Sequence, residues 1–137
     1  MVGILIIAHG SFGQSLSDCA KHVLGVLPPQ FSTLSVNIAD EPAALLQQAT
    51  AKVIQLNQGD GVLVLSDMYG ATPCNIVAKL LTQGVVEGVA GVNLPMLVRV
   101  LNYQHESLAV VVEKAISGGR EGVVTFSRND CHRFDPQ

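Results

Sequence analysis

Apolar residues along the chain fall into short continuous runs and longer periodic stretches. Residues 2–8 form a continuous apolar run, which is typical of a strand buried on both faces. A weakly alternating stretch predicts a strand at residues 33–38, and further apolar runs predict strands at 62–65 and 85–92 and a last short one at 123–126. Between them, apolar positions three and four residues apart predict helices, which cover residues 16–27, 42–56, 72–81, 96–103 and 106–116.

Residues with known end preferences mark where these helices start and stop. Asp40 and Thr72 each stand shortly before a proline, so both are N-cap candidates. Pro28 cannot continue the first helix, and Gly84 is suited to end the third. The two glycines at 118–119 are predicted to break the last helix.

A strand followed by a helix, repeated four times, is the pattern of an α/β fold. The chain is therefore predicted to form a three-layer sandwich around a mostly parallel sheet, with right-handed crossovers. No linker or repeat divides it. We expect one domain over residues 1–127 and a polar tail over residues 128–137.

Composition narrows the class of protein. The chain has 137 residues, 48% of them hydrophobic and 14% charged, which suits one domain with a proper core. A net charge of -3 disfavours a nucleic-acid binder, which normally carries a basic face. No apolar run reaches the roughly 20 residues of a membrane span, and the N-terminal run reads as a buried strand rather than a signal peptide. Cys19, Cys74 and Cys131 are scattered, as expected of ordinary thiols in the cytoplasm.

Candidate chemistry lies just beyond the strand ends, because ligands of an open parallel sheet bind where strand order reverses. His9 follows the first strand and Asp67 follows the third. If these strands are neighbours, the two side chains converge in one crevice. Asp67 would accept a hydrogen bond from one ring nitrogen of His9, and the other nitrogen would be a nucleophile.

The same crevice would suit a phosphoryl group. The helix that opens at Thr72 directs free N–H groups towards it, and these groups attract phosphate oxygens. A simpler interpretation remains open at this point. A lone histidine at a strand end is commonly just a solvated polar residue, and an aspartate there is commonly a turn residue.

Four segments together resemble one family, the IIA component of the mannose-type phosphoenolpyruvate-dependent sugar phosphotransferase system. They read IIAHGSFGQSL, LVLSDMYGATPCNIVAKLL, VAGVNLPMLVRVL and SGGREGV, in that order, and the resemblance covers about residues 1–124. It implies a phosphotransferase with a phosphohistidine intermediate, in which His9 accepts the phosphoryl group and Asp67 orients the His9 ring. The candidates for stabilising the phosphate are Gly10, Ser11, Gly70, Ala71 and Thr72.

The resemblance also implies an architecture and partners. The sheet order would be 2-1-3-4, and the protein would be a homodimer that exchanges an antiparallel C-terminal strand, residues 123–126. The donor would be the small histidine-containing phosphocarrier protein, and the acceptor a separate IIB component. The membrane would be reached only indirectly, through IIC and IID components. No cofactor or metal is expected. The loop at 70–74 departs from the usual glycine-glycine-serine-proline-phenylalanine, which leaves the choice of partner open.

Three other functions fit parts of the sequence. One is the phosphocarrier subunit of a dihydroxyacetone kinase, although its Gly-Thr-Asp segment is replaced here at residues 39–42. Another is a regulatory phosphoprotein, which neighbouring genes would distinguish from a transport component. The third is a small tetrapyrrole chelatase, for which His105 would have to be the second ligand in the cleft. His22 and His132 are predicted to be solvated surface residues.

Overall fold

Four parallel strands form the central sheet. The computed structural model describes residues 1–130, so most of the predicted tail, with Cys131 and His132, lies outside the described residues. The strand order is β2-β1-β3-β4, which confirms the order 2-1-3-4. Every named pair of neighbours is parallel. The strands are β1 (Gly3–His9), β2 (Phe31–Val36), β3 (Val62–Ser66) and β4 (Val86–Ala90).

Helices cover both faces of this sheet and complete the predicted three-layer sandwich. They are α1 (Phe12–Leu24), α2 (Pro42–Leu56), α3 (Thr72–Leu80), α4 (Leu94–Asn102) and α5 (Leu108–Glu121). One buried cluster joins the sheet to α1, α4 and α5. The other joins it to α2 and α3.

The central strand β1 shows why its sequence is apolar throughout. Ile4 and Ile6 point into the first cluster, whereas Leu5 and Ile7 point into the second, and all four are fully buried. Alternate residues of a strand face opposite sides, so a strand with helices on both sides needs apolar residues at every position. This burial holds the end of β1, and therefore His9, at a fixed place.

The edge strand β2 was predicted two residues too late. Ile38 is fully exposed, and the chain turns directly after Val36, where the Asn37 N–H donates to the Asp40 carboxylate at 2.8 Å. The prediction that Asp40 caps α2 was therefore wrong. The N-cap is Glu41, which makes no side-chain capping bond, while Asp40 closes the preceding turn.

The two glycines at 118–119 do not break α5, contrary to the sequence prediction. The helix continues to Glu121, and both glycines are buried. A Cβ on Gly118 would lie 3.0 Å from the Arg99 Cβ, and one on Gly119 would lie 2.7 Å from the Met96 Cε. Close packing of α5 on α4 therefore leaves little room for a side chain at Gly118, whereas the flexible end of Met96 can move away from one at Gly119. At Gly118 this packing outweighs the low helix propensity of glycine.

Residues 123–126 form no strand within this chain. The side chains of Val123, Val124 and Phe126 are all exposed. No further named strand of residues 1–130 pairs with β4 at its outer edge. Exchange of this segment with a second copy, predicted from the family resemblance, stays a prediction.

Candidate active site

His9 and Asp67 meet at the carboxyl edge of the sheet, where strand order reverses. His9 is the last residue of β1, and Asp67 directly follows Ser66, the last residue of β3. The two strands are paired neighbours, with Ile7 opposite Ser66. The predicted convergence of the two side chains therefore occurs, at the place where ligands of such sheets bind.

The Asp67 carboxylate holds His9 through two hydrogen bonds. The His9 Nδ1 donates to Oδ2 at 2.6 Å, and the His9 backbone N–H donates to the same oxygen at 3.0 Å. The other oxygen, Oδ1, accepts from the Met68 N–H at 3.0 Å. Because an ionised carboxylate can only accept, Nδ1 must carry the proton, and in the neutral ring Nε2 keeps its lone pair.

The side chains of His9 and Asp67 differ in their exposure to solvent. The Asp67 side chain is 14% exposed, whereas the His9 side chain is 51% exposed. No group among residues 1–130 makes a hydrogen bond to the His9 Nε2. The arrangement can therefore present a fixed, solvent-accessible imidazole nitrogen as a nucleophile.

The surroundings of Asp67 lower the pKa of its carboxyl group. Partial burial by itself raises this pKa, because it disfavours the charged form. The hydrogen bonds from the His9 backbone and ring, together with the charge interaction with that ring, outweigh burial and lower the pKa overall. The carboxylate is thus ionised at neutral pH and remains an acceptor for Nδ1.

This lowered pKa predicts a pH-dependent contribution to stability. A depressed carboxyl pKa adds stability that is fully present above the ordinary value of about 4 and is lost as pH falls through the folded-state pKa. We expect the stability advantage of the wild type over Asp67→Asn to shrink as pH falls below about 4. Urea unfolding at each pH measures it, with the exposed Asp18→Asn as a control. An advantage that does not change down to about pH 2 would contradict the role of the carboxylate.

Two helices begin at this edge without side-chain caps. The N-cap of α1 is Ser11 and that of α3 is Ala71, and neither makes a side-chain capping bond. Thr72 is the first residue of α3, so the prediction that it caps this helix was wrong. The N-cap Ala71 has an extended backbone, and its carbonyl accepts from the Asn75 N–H. The first N–H groups of a helix have no acceptor within it, so both starts favour an anion.

The residues predicted to stabilise the phosphate differ in their exposure and in whether their N–H groups are free. Ser11, Gly70 and Thr72 are exposed, whereas Ala71 is half-buried. Gly10 has a φ of 50° that suits glycine, and its N–H already donates to the Val36 carbonyl at 2.9 Å. Gly10 thus shapes the turn after His9, and its N–H is occupied.

One contact at this edge was not predicted from the sequence. The N–H groups of Gly91 and Val92 donate to the Ser66 carbonyl at 2.9 and 3.0 Å, which ties the chain after β4 to the residue before Asp67. The sequence feature that could have pointed to this contact is Gly91, a glycine directly after an apolar run. Asn93, two residues on from Gly91, is occupied as the cap of α4, accepting from the Met96 N–H at 2.9 Å.

His105 lies at the opposite end of the molecule. Its neighbour Gln104 accepts from the Val2 N–H at 2.8 Å, at the start of β1. Seven residues of strand separate Val2 from His9, or about 23 Å. His105 therefore does not enter the cleft, and the chelatase interpretation loses its second ligand. Within residues 1–130, no group of three or more His, Cys, Asp or Glu side chains could hold a metal ion.

A family model and two named relatives point to one family. The sequence model of the family EIIA-man, described as "PTS system fructose IIA component", matches residues 3–116. The chain is 30% identical over 138 residues to the "PTS system mannose-specific EIIAB component" of Escherichia coli K12, covering 98% of this chain and 42% of that protein. It thus spans less than half the length of that relative. It is 28% identical over 116 residues to the "PTS system fructose-specific EIIA component" of Bacillus subtilis, covering 80% and 75% of the two chains.

A solved structure supports the same assignment. Phosphotransferase system component EIIA from Streptococcus agalactiae superposes with a TM-score of 0.82 at 25% identity, covering 92% of this chain and 98% of the other. Among residues 1–130, no helix has both the length and the apolar character needed to cross a membrane. The chain belongs to the EIIA-man family of phosphotransferase system IIA components.

Proposed function

We propose that this protein is a phosphoryl carrier of the phosphoenolpyruvate-dependent sugar phosphotransferase system, with His9 as its phosphoryl acceptor. The observation that carries the proposal is the 2.6 Å hydrogen bond from His9 Nδ1 to Asp67. It fixes the ring and leaves Nε2 as the nucleophilic nitrogen at an exposed edge. Membership of the IIA family supplies the reaction class.

The proposed transfer is an in-line exchange between two imidazoles. The lone pair of His9 Nε2 attacks phosphorus, a new P–N bond forms, and the P–N bond of the donor histidine breaks. The donor ring keeps that electron pair. Asp67 stabilises the positive charge that develops on the His9 ring, through Nδ1. The N–H groups at the starts of α1 and α3 are suited to the phosphoryl oxygens.

The proposed partners follow from the place of a IIA component in such a system. The small histidine-containing phosphocarrier protein donates the phosphoryl group, and a separate IIB component accepts it. Both exchanges take place in the cytoplasm. IIC and IID components then move the sugar, so this protein contacts the membrane only through them. The chemistry requires no metal or cofactor, because in-line positioning and charge stabilisation are sufficient.

The direct test of this function is reconstitution. The protein is incubated with labelled phosphoenolpyruvate, the general phosphotransferase enzyme and the small phosphocarrier. Acid-labile label should appear on the protein only when the phosphocarrier is present, and should pass on to an added IIB component. A fully labelled phosphocarrier beside an unlabelled protein would exclude the function.

We further propose that the protein is a homodimer joined partly by residues 123–126. Val123, Val124 and Phe126 are 75%, 68% and 65% exposed in the single chain. An unpaired sheet edge and an exposed apolar segment are both liabilities for a monomer. Pairing the segment of one copy with the β4 edge of the other would cover both under a two-fold axis.

Truncation tests the dimer. A chain that ends at Gly122 should shift towards monomer in sedimentation equilibrium and melt at a lower temperature, because the covering segment is lost. A chain that ends at Asp130 is the matched control and should remain a dimer. If the shorter chain stays a dimer of unchanged stability, residues 123–126 do not join the subunits.

A further inference from the structure

A cavity of about 600 Å³ lies at the amino end of β4, at the opposite end of the sheet from His9. Its apolar wall comes from the start of α5 and includes Leu108 and Val112. Two carboxylates, those of Asp60 and Glu87, line the same cavity. Apolar walls beside carboxylates suit a long basic side chain, which packs its stem on the walls and places its charge at the carboxylates.

Neither carboxylate is fully used within the chain. The Asp60 Oδ2 accepts from the Met1 ammonium at 2.8 Å, and the Glu87 Oε1 accepts from the Gly84 N–H at 2.9 Å. The second oxygen of each carboxylate has no hydrogen-bond partner among residues 1–130. Two carboxylates and one ammonium leave an excess of negative charge at this cavity, which a further cation would neutralise.

Glu87 lies on an edge strand and faces the covered side of the sheet. Its register partner in β3 is Leu63, which belongs to the buried cluster under α1, α4 and α5, so Glu87 faces α5 as well. Among residues 1–130, no further named strand pairs with the outer edge of β4. An inward-facing charge discourages pairing along such an edge, unless the incoming strand brings the opposite charge.

The segment proposed to join the subunits starts at the carboxyl end of the sheet. There the C-cap of α5, Gly122, lies against Pro95, which follows β4 in the chain. A strand that begins there and follows a β4 edge in the predicted antiparallel direction runs towards the amino end of β4. Whatever follows residues 123–126 is therefore carried towards the cavity.

The count of residues along the strand brings Arg128 to the cavity. When Val123 of one copy lies opposite Ala90 of the other, Arg128 falls opposite Val85, because antiparallel partners advance one residue each. Val85 lines the cavity, and Glu87 is then the diagonal neighbour of Arg128 on the same face. This register places a cation beside the carboxylates.

Arg128 is available for such a contact. It is exposed, and none of the ion pairs among residues 1–130 includes it. It lies in a turn that is closed by the Ser127 N–H, which donates to the Asp130 carboxylate at 2.9 Å. Val124, Phe126 and Arg128 alternate along the chain, so a strand through them presents two apolar side chains and one cation on one face. That face complements the apolar wall and the carboxylates of the cavity.

We propose that the cavity at the amino end of β4 binds Arg128 of a second copy of this chain, between the carboxylates of Asp60 and Glu87. The guanidinium donates to the oxygens that have no partner within the chain, and its stem packs on the apolar wall. This inference rests on the proposed homodimer. It adds a charged contact that a two-fold axis repeats, and it fixes the register of the exchanged strand.

The experiment measures the dissociation constant of the full-length dimer by sedimentation equilibrium. In Arg128→Glu this constant should rise by about tenfold or more, because two attractive contacts become repulsive. Lys21→Glu is the matched control, since it makes the same charge change at an exposed position of α1. It should change the dissociation constant by less than about twofold. Both substitutions replace exposed side chains, so both variants should fold.

Charge exchange identifies where Arg128 binds. Glu87→Arg alone should weaken the dimer, whereas Glu87→Arg combined with Arg128→Glu should return the dissociation constant to within about threefold of the wild type. Asp60→Arg, at an exposed position, gives the same cycle if Glu87→Arg does not fold. A dimer that Arg128→Glu weakens and that neither exchange restores would place Arg128 elsewhere and overturn the inference.

The chain that ends at Gly122 separates this contact from the dimer itself. If the wild type is a monomer, or if the truncated chain is an equally tight dimer, the proposed homodimer fails and the contact fails with it. If the dimer requires residues 123–126 but Arg128→Glu dimerises as tightly as the wild type, the dimer stands and the contact at the cavity is wrong.

Discussion

The His9→Ala variant should take up no phosphate from the small phosphocarrier, a loss of at least about 10⁴-fold in rate. Among residues 1–130, His9 is the histidine that lies at the carboxyl edge of the sheet beside Asp67, and its Nε2 has no hydrogen-bond partner there. The variant lacks the nitrogen that would form the P–N bond in the proposed transfer. The effect is therefore complete rather than partial.

Matched variants separate this effect from a general loss of histidine. His22 lies exposed on α1, and His105 lies near the amino end of β1, so His22→Ala and His105→Ala should label as the wild type does. Acid-labile label is counted after gel filtration of each protein. Equal labelling of His9→Ala and the wild type would show that another residue accepts the phosphate.

Asp67→Ala should slow phosphoryl transfer by about 10²- to 10⁴-fold, the range typical of losing a positioned acid–base partner. Without the carboxylate, the His9 ring loses its 2.6 Å contact and can rotate or change tautomer. The positive charge that develops on the ring also loses its partner. The variant should still fold, because Asp67 lies in a loop after a strand end and water can replace it.

Asp67→Asn distinguishes orientation from charge. The amide oxygen can still accept from Nδ1, so the ring stays oriented, but the negative charge is gone. We therefore expect a rate between those of the wild type and Asp67→Ala, measured by rapid quench with the phosphocarrier as donor. Transfer at the wild-type rate in Asp67→Ala would show that Asp67 is only a turn residue.

The meeting of His9 with Asp67 could be predicted from the sequence because it depends on local rules. Continuous apolar runs located β1 and β3, and residues directly after parallel strands meet at one edge. That reasoning located His9 and Asp67 at strand ends. The prediction that the two side chains meet also required β1 and β3 to be neighbours. That pairing was implied by the family resemblance, and the observed strand order confirms it.

Helix ends and backbone contacts were predicted less well because they depend on packing. The glycines at 118–119 read as helix breakers, yet they lie inside α5 because α4 packs against them. Asp40 was predicted to cap α2, but this helix begins one residue later than such a cap implies. Thr72 was predicted to cap α3, but this helix begins one residue earlier. The bonds of Gly91 and Val92 to Ser66 could not be predicted from the glycine after β4 by itself, since they join segments some 25 residues apart.

The proposed role of His9 is tested most directly by locating the phosphate on the protein. After labelling by the phosphocarrier, ³¹P NMR combined with peptide mapping identifies the phosphorylated atom. The hydrogen bond of Nδ1 to Asp67 predicts a single signal from a phosphohistidine at His9, with the phosphate on Nε2. A phosphate on Nδ1 of His9, or a carboxyl phosphate on Asp67, would contradict the proposed mechanism.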